Sequence, residues 1–155
     1  MALEIEHKYL LKRSAWEQVS PQKSVHLQQA YILSDPDKTI RVRTQQDKAW
    51  ITIKGKTQGA SRLEFEYEIP LEDAREMIRN FSSHAIEKIR HYVVYEGKTW
   101  EVDEFKGDNE GLLVAEIELG SETETYLLPE WVDTDVTADL RYANSNLAIS
   151  PFKSW

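Results

Sequence analysis

The sequence predicts a mainly β protein of the α+β class, with about eight strands in a mostly antiparallel sheet. Three observations support this prediction. Apolar and polar residues alternate with a period of two in eight segments, the connections between these segments are short, and one intervening segment has helical periodicity instead. Short connections favour antiparallel neighbours. With 155 residues, the chain is expected to form a single domain over residues 1–155.

Five strands are predicted before the helical segment. Residues 3–11 place Ile5 and Tyr9 on one face and Glu6 and Lys8 on the other. Residues 25–33 are rich in β-forming residues and end in the turn sequence Ser-Asp-Pro-Asp. Residues 39–44, 49–54 and 62–69 alternate in the same way. Each of these segments therefore has one apolar face and one polar face.

Helical periodicity appears over residues 70–81, which open with a proline and acidic residues. One face of this segment is apolar, as in an amphipathic helix, and is formed by Leu71, Ala74, Met77, Ile78 and Phe81. The helix is expected to cover the apolar face of the sheet.

Three further strands and two minor helices complete the prediction. Strand patterns resume over residues 86–95, 98–105 and 112–119. A short helix is expected at residues 14–19, between the first two strands. A final helix is expected from an N-cap at Thr137 to about Ala148, before Pro151.

Composition excludes several classes of protein. The formal net charge of −8 argues against a general nucleic-acid binder. The absence of cysteine excludes disulfides, thiolate metal sites and cysteine nucleophiles. No apolar run approaches the roughly 20 residues needed to cross a bilayer, and the acidic start does not match a signal peptide. We therefore expect a cytoplasmic protein without nucleic-acid or membrane partners.

The polar face of the predicted sheet carries full charges in same-sign pairs two residues apart. Like charges at this spacing share a strand face and repel each other, so local stability does not explain them. The acidic pairs are Glu4/Glu6, Glu64/Glu66, Glu101/Asp103 and Glu116/Glu118, and the basic pairs are Arg41/Arg43 and Lys88/Arg90, joined by Lys8, Lys54 and Arg62.

Two arrangements account for this charged face. In one, a sheet has helices on one side and a solvated charged face on the other. In the other, about eight strands close into a barrel with the charges in its lumen and the helices outside. A lumen with both signs suits a highly anionic ligand, because Arg and Lys bind phosphate oxygens and carboxylates bind hard divalent cations. Alternation alone leaves both arrangements open.

The amino-acid sequence of the charged segments resembles that of one protein family over nearly the whole chain. Glu4-Ile5-Glu6-His7-Lys8 matches the ExExK signature of the CYTH family, the triphosphate tunnel metalloenzymes. The resemblance continues in order through Gln29-Ala30-Tyr31-Ile32, Arg41-Val42-Arg43, Ile51-Thr52-Ile53-Lys54, Arg62-Leu63-Glu64-Phe65-Glu66-Tyr67-Glu68, Lys88-Ile89-Arg90, Trp100-Glu101-Val102-Asp103-Glu104-Phe105, Ala115-Glu116-Ile117-Glu118-Leu119 and a C-terminal segment from Val136 to Ser145. The length and ending are similar to those of short bacterial members that hydrolyse inorganic triphosphate.

The resemblance implies a closed, antiparallel, eight-stranded β-barrel whose charged lumen is a tunnel, with helices packed on the outside. It implies metal-dependent hydrolysis of tripolyphosphate to pyrophosphate and phosphate, with Mg²⁺ or Mn²⁺ as the cofactor. The expected partner is a small molecule that contains a triphosphate, and the protein is expected to be a monomer or a homodimer.

The resemblance also implies roles for individual residues. The substrate-binding residues would be Lys8, Arg41, Arg43, Lys54, Arg62, Lys88 and Arg90, and the metal ligands Glu4, Glu6, Asp103, Glu116 and Glu118. Glu64 and Glu66 would balance the charge of the lumen. Lys8, Lys88 and Tyr31 are the candidate catalytic residues, because a lysine inside a basic cluster loses its proton more readily and Tyr31 could pair with it.

Three other functions share these motifs. A class IV adenylate cyclase would use the same tunnel residues to form cyclic AMP and pyrophosphate from ATP, but would need space for adenine. A thiamine or nucleoside triphosphatase is a second alternative. A non-enzymatic polyphosphate-binding module is the third, although such a module would be expected to lack part of the metal or phosphate set.

Overall fold

A computed structural model of the chain describes residues 3–82 and 84–155. Met1 and Ala2, at the start of the acidic N-terminal segment, lie outside the described residues. The described residues form the strands β1 (Leu3–Leu11), β2 (Lys23–Ser34), β3 (Lys38–Gln45), β4 (Lys48–Gly55), β5 (Ser61–Ile69), β6 (His84–Tyr95), β7 (Lys98–Phe105), β8 (Leu113–Glu118) and β9 (Val132–Asp135). The eight predicted strands are confirmed, with ends that differ by at most a few residues.

The strands close into an antiparallel barrel. Their order is β5-β4-β3-β2-β6-β7-β8-β1, and pairing of β1 with β5 joins the two ends. β1 makes the closure possible because two different strands pair along one of its edges. Its first residues pair with β5, with Glu4 opposite Arg62, and its last residues pair with β9, with Tyr9 opposite Asp135. The predicted eight-stranded barrel is confirmed, with β9 as an additional strand outside it.

Three α-helices occur in the described chain: α1 (Arg13–Trp16), α2 (Leu71–Phe81) and α3 (Asn144–Ile149). Short 3-10 turns occur at Gly107–Asn109, Leu140–Tyr142 and Phe152–Ser154. In α2, Glu72 and Asp73 occupy the first turn, where the helix dipole favours negative charge. Within residues 3–82 and 84–155, every helix is too short or too polar to cross a membrane.

α2 covers the outer face of β3 and β4, as predicted. Ala74 of the helix, Val42 of β3 and Ala49 of β4 are all completely buried where the elements meet. The two alanines let the helix lie close to the sheet. Ile78 and Met77 pack at the edges of this contact. This apolar layer fixes the wall of the barrel that carries Arg41 and Arg43 on its inner side.

A second part of the outer surface is covered by chain without regular structure, rather than by a helix. Trp100 of β7 packs edge-on against Trp131 and Tyr126, which belong to the segment after β8. The outer face of β5 is not covered in the same way, since Phe65 and Tyr67 are exposed. The expectation that helices cover the apolar faces is therefore correct for α2 and wrong for these two regions.

The expected final helix is largely wrong. β9 occupies residues that were not predicted as strand, and Thr137 does not begin a helix. Its hydroxyl group accepts a hydrogen bond from the backbone N–H of Lys8 at 3.0 Å and donates one to Asp135 at 2.6 Å. These bonds fix the chain against β1 instead. The helix begins only at Asn144, seven residues later.

The C-terminal segment closes one end of the barrel. Leu147 of α3 is completely buried and packs with Tyr142, Tyr31 and Phe105 in one apolar cluster. Tyr31 and Phe105 come from β2 and β7, the two neighbours of β6, so the cluster joins the segment to this part of the barrel wall. The lumen therefore has an apolar closed end and a charged remainder.

Candidate active site

The barrel encloses a cavity of about 510 Å³ whose walls are almost entirely charged. Each acidic or basic pair of the sequence contributes at least one residue to it, and the charged side chains that line it are Glu4, Glu6, Arg41, Arg43, Lys54, Arg62, Glu64, Glu66, Arg90, Lys98, Glu101, Glu116 and Glu118. Of the two arrangements that alternation left open, the closed barrel with a charged lumen is the correct one.

Strand register brings opposite charges together across neighbouring strands. Glu116 of β8 lies opposite Lys8 of β1, and Glu64 of β5 lies opposite Lys54 of β4. Residues directly opposite each other in an antiparallel pair share a face and lie close enough to interact. The repulsion between like charges along one strand is thus offset by attraction across strands.

One group of contacts is centred on Glu66. Its carboxylate lies 3.6 Å from Arg41 and 3.6 Å from Arg43. The hydroxyl of Thr52, a completely buried residue, donates to Glu66 at 2.8 Å and accepts from Arg41 at 3.3 Å. Arg43 also lies over the ring of Trp50 at 5.0 Å. Both guanidinium groups are therefore held in place before any ligand binds.

A second group is centred on Glu4. Its carboxylate accepts hydrogen bonds from Lys54 at 3.1 Å and from Arg62 at 3.2 Å. Burial opposes ionisation of Glu4, but its hydrogen bond with Glu64 and the charges of Lys54 and Arg62 outweigh burial and lower its pKa well below the usual range. Burial and the same hydrogen bond raise the pKa of Glu64 to about 8. Glu64 therefore holds a proton more readily than Glu4 does.

An acidic corner is formed by Glu6, Glu116 and Glu118. The Lys8 ammonium lies 3.8 Å from both Glu6 and Glu116, and is the nearest positive charge to this corner. Burial and the neighbouring Glu116 raise the pKa of Glu6 to about 7, and burial, Glu4 and Glu116 raise the pKa of Glu118. The corner therefore contains more negative charge than Lys8 balances.

The acidic corner fits a divalent cation by its donor set, which consists of carboxylate oxygens. Within the part of the chain that the structure describes, no three carboxyl or imidazole groups are already arranged around one point as metal ligands. The Glu6 and Glu116 side chains instead lie near Lys8, and Glu4 contacts Lys54. Binding of one cation would therefore require these carboxylates to leave their present partners.

The deepest ion pair joins Lys88 and Asp103. Their side chains are 0% and 1% exposed, and the ammonium donates to the carboxylate at 2.7 Å. Arg90 donates to both oxygens of Asp103, at 2.9 and 3.1 Å. Burial opposes the charge on Asp103, but Arg90 and Lys88 lower its pKa well below the usual range, whereas burial lowers the pKa of Lys88 to about 8. Both oxygens of Asp103 are thus occupied by cationic partners.

Tyr31 lies at the closed end, in the same apolar cluster as Phe105. It lines a narrow opening beside the main cavity, together with Arg41, Lys54 and Arg62. Burial raises the pKa of its hydroxyl, although Arg41 opposes this shift. Among the described residues, its hydroxyl makes no hydrogen bond to Lys8 or Lys88.

Sequence reasoning did not name several side chains of the lumen as site residues, among them Tyr92 and Lys98, which line the cavity, and Thr52 and Asn144. Thr52 was identified only as part of a motif, although its position between Trp50 and Lys54 on one strand face indicated an inward direction. Asn144 was assigned to the middle of the final helix, and nothing in the local pattern indicated that it lines the cavity. Its Oδ1 accepts a hydrogen bond from Lys88 at 3.2 Å.

Comparison with known proteins gives the family. The CYTH domain model matches residues 2–148. The chain belongs to the CYTH family. It is 46% identical over 156 residues to an inorganic triphosphatase of Acetivibrio thermocellus, covering all of this chain and 99% of that protein. It is 30% identical over 154 residues to an inorganic triphosphatase of Nitrosomonas europaea, covering 95% of this chain and 97% of that protein.

Solved structures agree with this assignment of the CYTH chain. A crystal structure of an inorganic triphosphatase superposes with a TM-score of 0.66 at 28% identity, covering 97% of each chain. A putative adenylate cyclase from Bacillus halodurans superposes with a TM-score of 0.63 at 16% identity, covering 79% of this chain and 84% of the other. At that identity the second likeness concerns the fold alone.

Proposed function

We propose that this CYTH protein hydrolyses inorganic triphosphate to pyrophosphate and orthophosphate inside its barrel. The observation that carries the proposal is the cavity itself, in which guanidinium and ammonium groups face a cluster of carboxylates. Its two curated relatives, both inorganic triphosphatases over nearly their full length, support the same reaction. The single domain over residues 1–155 and the cytoplasmic location predicted from the sequence are part of this proposal.

The basic side chains bind and orient the phosphate chain. Arg41, Arg43 and Arg90 can each engage two phosphate oxygens, whereas Lys54 acts as a point charge. Because Glu66 and Thr52 already hold the two arginines of β3, little side-chain entropy is lost when the substrate binds. The same charges then stabilise the negative charge that develops on the leaving pyrophosphate.

The carboxylates at the acidic corner hold the metal. CYTH triphosphatases are metal-dependent in general, and we propose Mg²⁺ or Mn²⁺ for this chain because the donors are all oxygens. Glu6, Glu116 and Glu118 are its proposed ligands, with Glu4 beside them. When bound, such a cation supplies charge neutralisation for phosphate oxygens and activates a water molecule. It would also relieve the repulsion that raises the pKa values of Glu6 and Glu118.

Asp103 fits a positioning role better than that of a metal ligand. Its two oxygens already accept three hydrogen bonds from Lys88 and Arg90. In this position it holds Arg90 toward the cavity and keeps the buried Lys88 charge compensated. Glu66 is likewise proposed to balance Arg41 and Arg43, whereas Glu64, whose pKa is raised to about 8, contributes less to balancing Lys54.

The lysines differ as candidates for the general base. Burial lowers the pKa of Lys8, but the carboxylates of Glu116 and Glu6 outweigh it and raise the pKa overall, so Lys8 stays charged and serves as a clamp. Lys88 has a pKa of about 8 and is more easily deprotonated. Its side chain does not reach the cavity surface, so it acts on the substrate through its neighbours.

A comparison of substrates tests the proposal. Phosphate release would be measured from tripolyphosphate, ATP and thiamine triphosphate, each with Mg²⁺ and with Mn²⁺, together with formation of cyclic AMP. We expect tripolyphosphate to be turned over fastest and a chelator to stop the reaction. Cyclic AMP as the main product from ATP would overturn the hydrolase assignment and leave the fold intact.

A further inference from the structure

Asn144 is the one residue of the C-terminal segment among those that line the 510 Å³ cavity. It stands at the first position of α3. The completely buried Leu147 anchors the same helix in the apolar cluster at the closed end. The side chain of Asn144 is therefore presented to the lumen by a segment that is not part of the barrel wall.

The Asn144 amide lies between Lys88 and the cavity. Lys88 is 0% exposed and does not itself line the cavity, while Asn144 does. The ammonium is 3.2 Å from Oδ1 of Asn144 and 2.7 Å from Asp103. Asn144 is therefore the hydrogen-bond partner of Lys88 that also lines the cavity.

The contact with Lys88 fixes the orientation of the Asn144 amide. An ammonium group only donates hydrogen bonds, so the amide atom that faces Lys88 must be the oxygen. The amide nitrogen then points elsewhere, and it donates to no other residue in the described part of the chain. The second opening that Asn144 lines is shared with Arg41 and Lys54, so its surroundings are cationic.

We propose that the Asn144 amide nitrogen donates a hydrogen bond to a phosphate oxygen of the substrate at the closed end of the tunnel, and that Lys88 strengthens this bond. A cation at the amide oxygen polarises the amide and makes its N–H groups better donors. Asn144 would then be a substrate-binding residue, with Lys88 and Asp103 as its positioning residues. This inference rests on the proposed triphosphatase function and adds to it a neutral phosphate donor supplied by the C-terminal segment.

Three replacements distinguish this role from a purely structural one. Asn144→Ala removes both the donor and the acceptor. Asn144→Asp keeps an acceptor for Lys88 but replaces the donor by an anionic oxygen, which repels phosphate. Asn146→Asp is the matched control, because Asn146 lies on the same helix, is exposed, and donates to the carbonyl of Leu140 rather than facing the lumen.

The measurement is the dissociation constant of tripolyphosphate by titration calorimetry with a chelator present, alongside kcat and KM with metal. We expect Asn144→Ala to weaken binding about tenfold, as for a hydrogen bond to a charged group, and Asn144→Asp to weaken it further. The control Asn146→Asp should bind like the wild type. Thermal unfolding of each variant shows that it is folded.

Two results would overturn the inference. Binding by Asn144→Asp at the wild-type level, with weak binding by Asn144→Ala, would mean that Asn144 only anchors Lys88. Wild-type binding by all variants would place Asn144 away from the phosphates. Failure of the wild-type protein to turn over bound tripolyphosphate would instead overturn the proposed hydrolysis, while the binding order would still decide the role of Asn144.

Discussion

The Lys88 ammonium and the Asp103 carboxylate lie 2.7 Å apart in the barrel wall, where neither is accessible to solvent. Arg90 completes the arrangement by donating to both oxygens of Asp103. Asp103 therefore compensates both buried cations, and Arg90, which lines the cavity, also pairs with Glu101 at 2.8 Å. Removal of Asp103 is costly because Lys88 then stays buried without a charged partner, while Arg90 keeps only Glu101.

Replacing Asp103 should destabilise the fold as well as the site. We expect Asp103→Asn to lower the free energy of unfolding by about 3–5 kcal/mol, because it leaves Lys88 and Arg90 buried with less compensation. For a chain of this size that corresponds to a fall of about 10 °C in Tm. Asp139→Asn is the control, since Asp139 pairs with Arg141 at the surface and should leave Tm unchanged. A wild-type Tm for Asp103→Asn would show that the pair contributes little.

Stability without metal should fall between pH 5 and pH 7.5. Burial, with nearby carboxylates, raises the pKa of Glu6 to about 7 and that of Glu64 to about 8, above the ordinary value of 4.5. The folded state then binds more protons than the unfolded state in this window, so the free energy of unfolding decreases as pH rises. Glu4 and Asp103, whose pKa values are lowered, stay ionised in the folded state throughout and contribute little slope above pH 5.

The pH effect is measured by thermal unfolding with a chelator at pH 5 and pH 7.5. The control is Glu6→Gln, which removes one of the carboxyl groups with a raised pKa and should reduce the fall in Tm. A Tm that rises over this range in the wild-type protein would contradict the raised carboxyl pKa values.

Divalent cations should stabilise the protein most at the higher pH. Ligand carboxylates must be ionised to bind a metal, and Glu6 is largely protonated at pH 5. We expect Mg²⁺ or Mn²⁺ to raise Tm at pH 7.5 and to have a much smaller effect at pH 5. Glu116→Ala should abolish the rise in Tm at both pH values. Equal stabilisation of Glu116→Ala and the wild type would place the metal outside the acidic corner.

Loss of Arg43 should weaken substrate binding rather than the fold. Arg43 lines the cavity, packs over Trp50 and shares Glu66 with Arg41. We expect Arg43→Ala to raise KM for tripolyphosphate about 10- to 100-fold, the loss expected for hydrogen bonds to a charged ligand. Lys48→Ala, on the same barrel wall but exposed and paired with Glu68, should have the wild-type KM. An unchanged KM for Arg43→Ala would show that Arg43 does not bind the phosphate chain of the substrate.

The closed end should depend on Leu147. This side chain is completely buried against Tyr31, Phe105 and Tyr142. We expect Leu147→Ala to cost about 2–5 kcal/mol of stability through the cavity that it leaves. Ile149→Ala, on the same helix but exposed, is the control and should change stability little. Similar stabilities of the two variants would mean that the C-terminal segment does not seal the barrel.

Sequence patterns predicted the barrel wall because alternation has a direct structural meaning. A strand places every second residue on the same face, so Glu4, Glu6 and Lys8 had to share one face whichever partners their strand had. Pairing itself was not predictable from one sequence. The proximity of Lys54 to Glu4, for example, depends on closure between β1 and β5, two strands that are far apart in the chain.

The C-terminal segment was predicted less well, for reasons specific to its residues. β9 has only four residues, too few for alternation to be recognised. Thr137 precedes a pattern of apolar residues that resembles the start of a helix. Its hydroxyl instead accepts a hydrogen bond from the backbone N–H of Lys8 and donates one to Asp135. The place of Asn144 in the lumen follows from tertiary packing of Leu147, which no local signal encodes.

The central claim is that the charged lumen hydrolyses a terminal phosphoanhydride bond. Phosphorus NMR of tripolyphosphate incubated with the protein and Mg²⁺ or Mn²⁺ tests it most directly, because it resolves substrate and both products. We predict that the tripolyphosphate signals are replaced by pyrophosphate and orthophosphate in equal amounts, and that a chelator or Arg41→Ala prevents this change. Persistence of the tripolyphosphate signals with the metal-loaded wild-type protein would contradict the account.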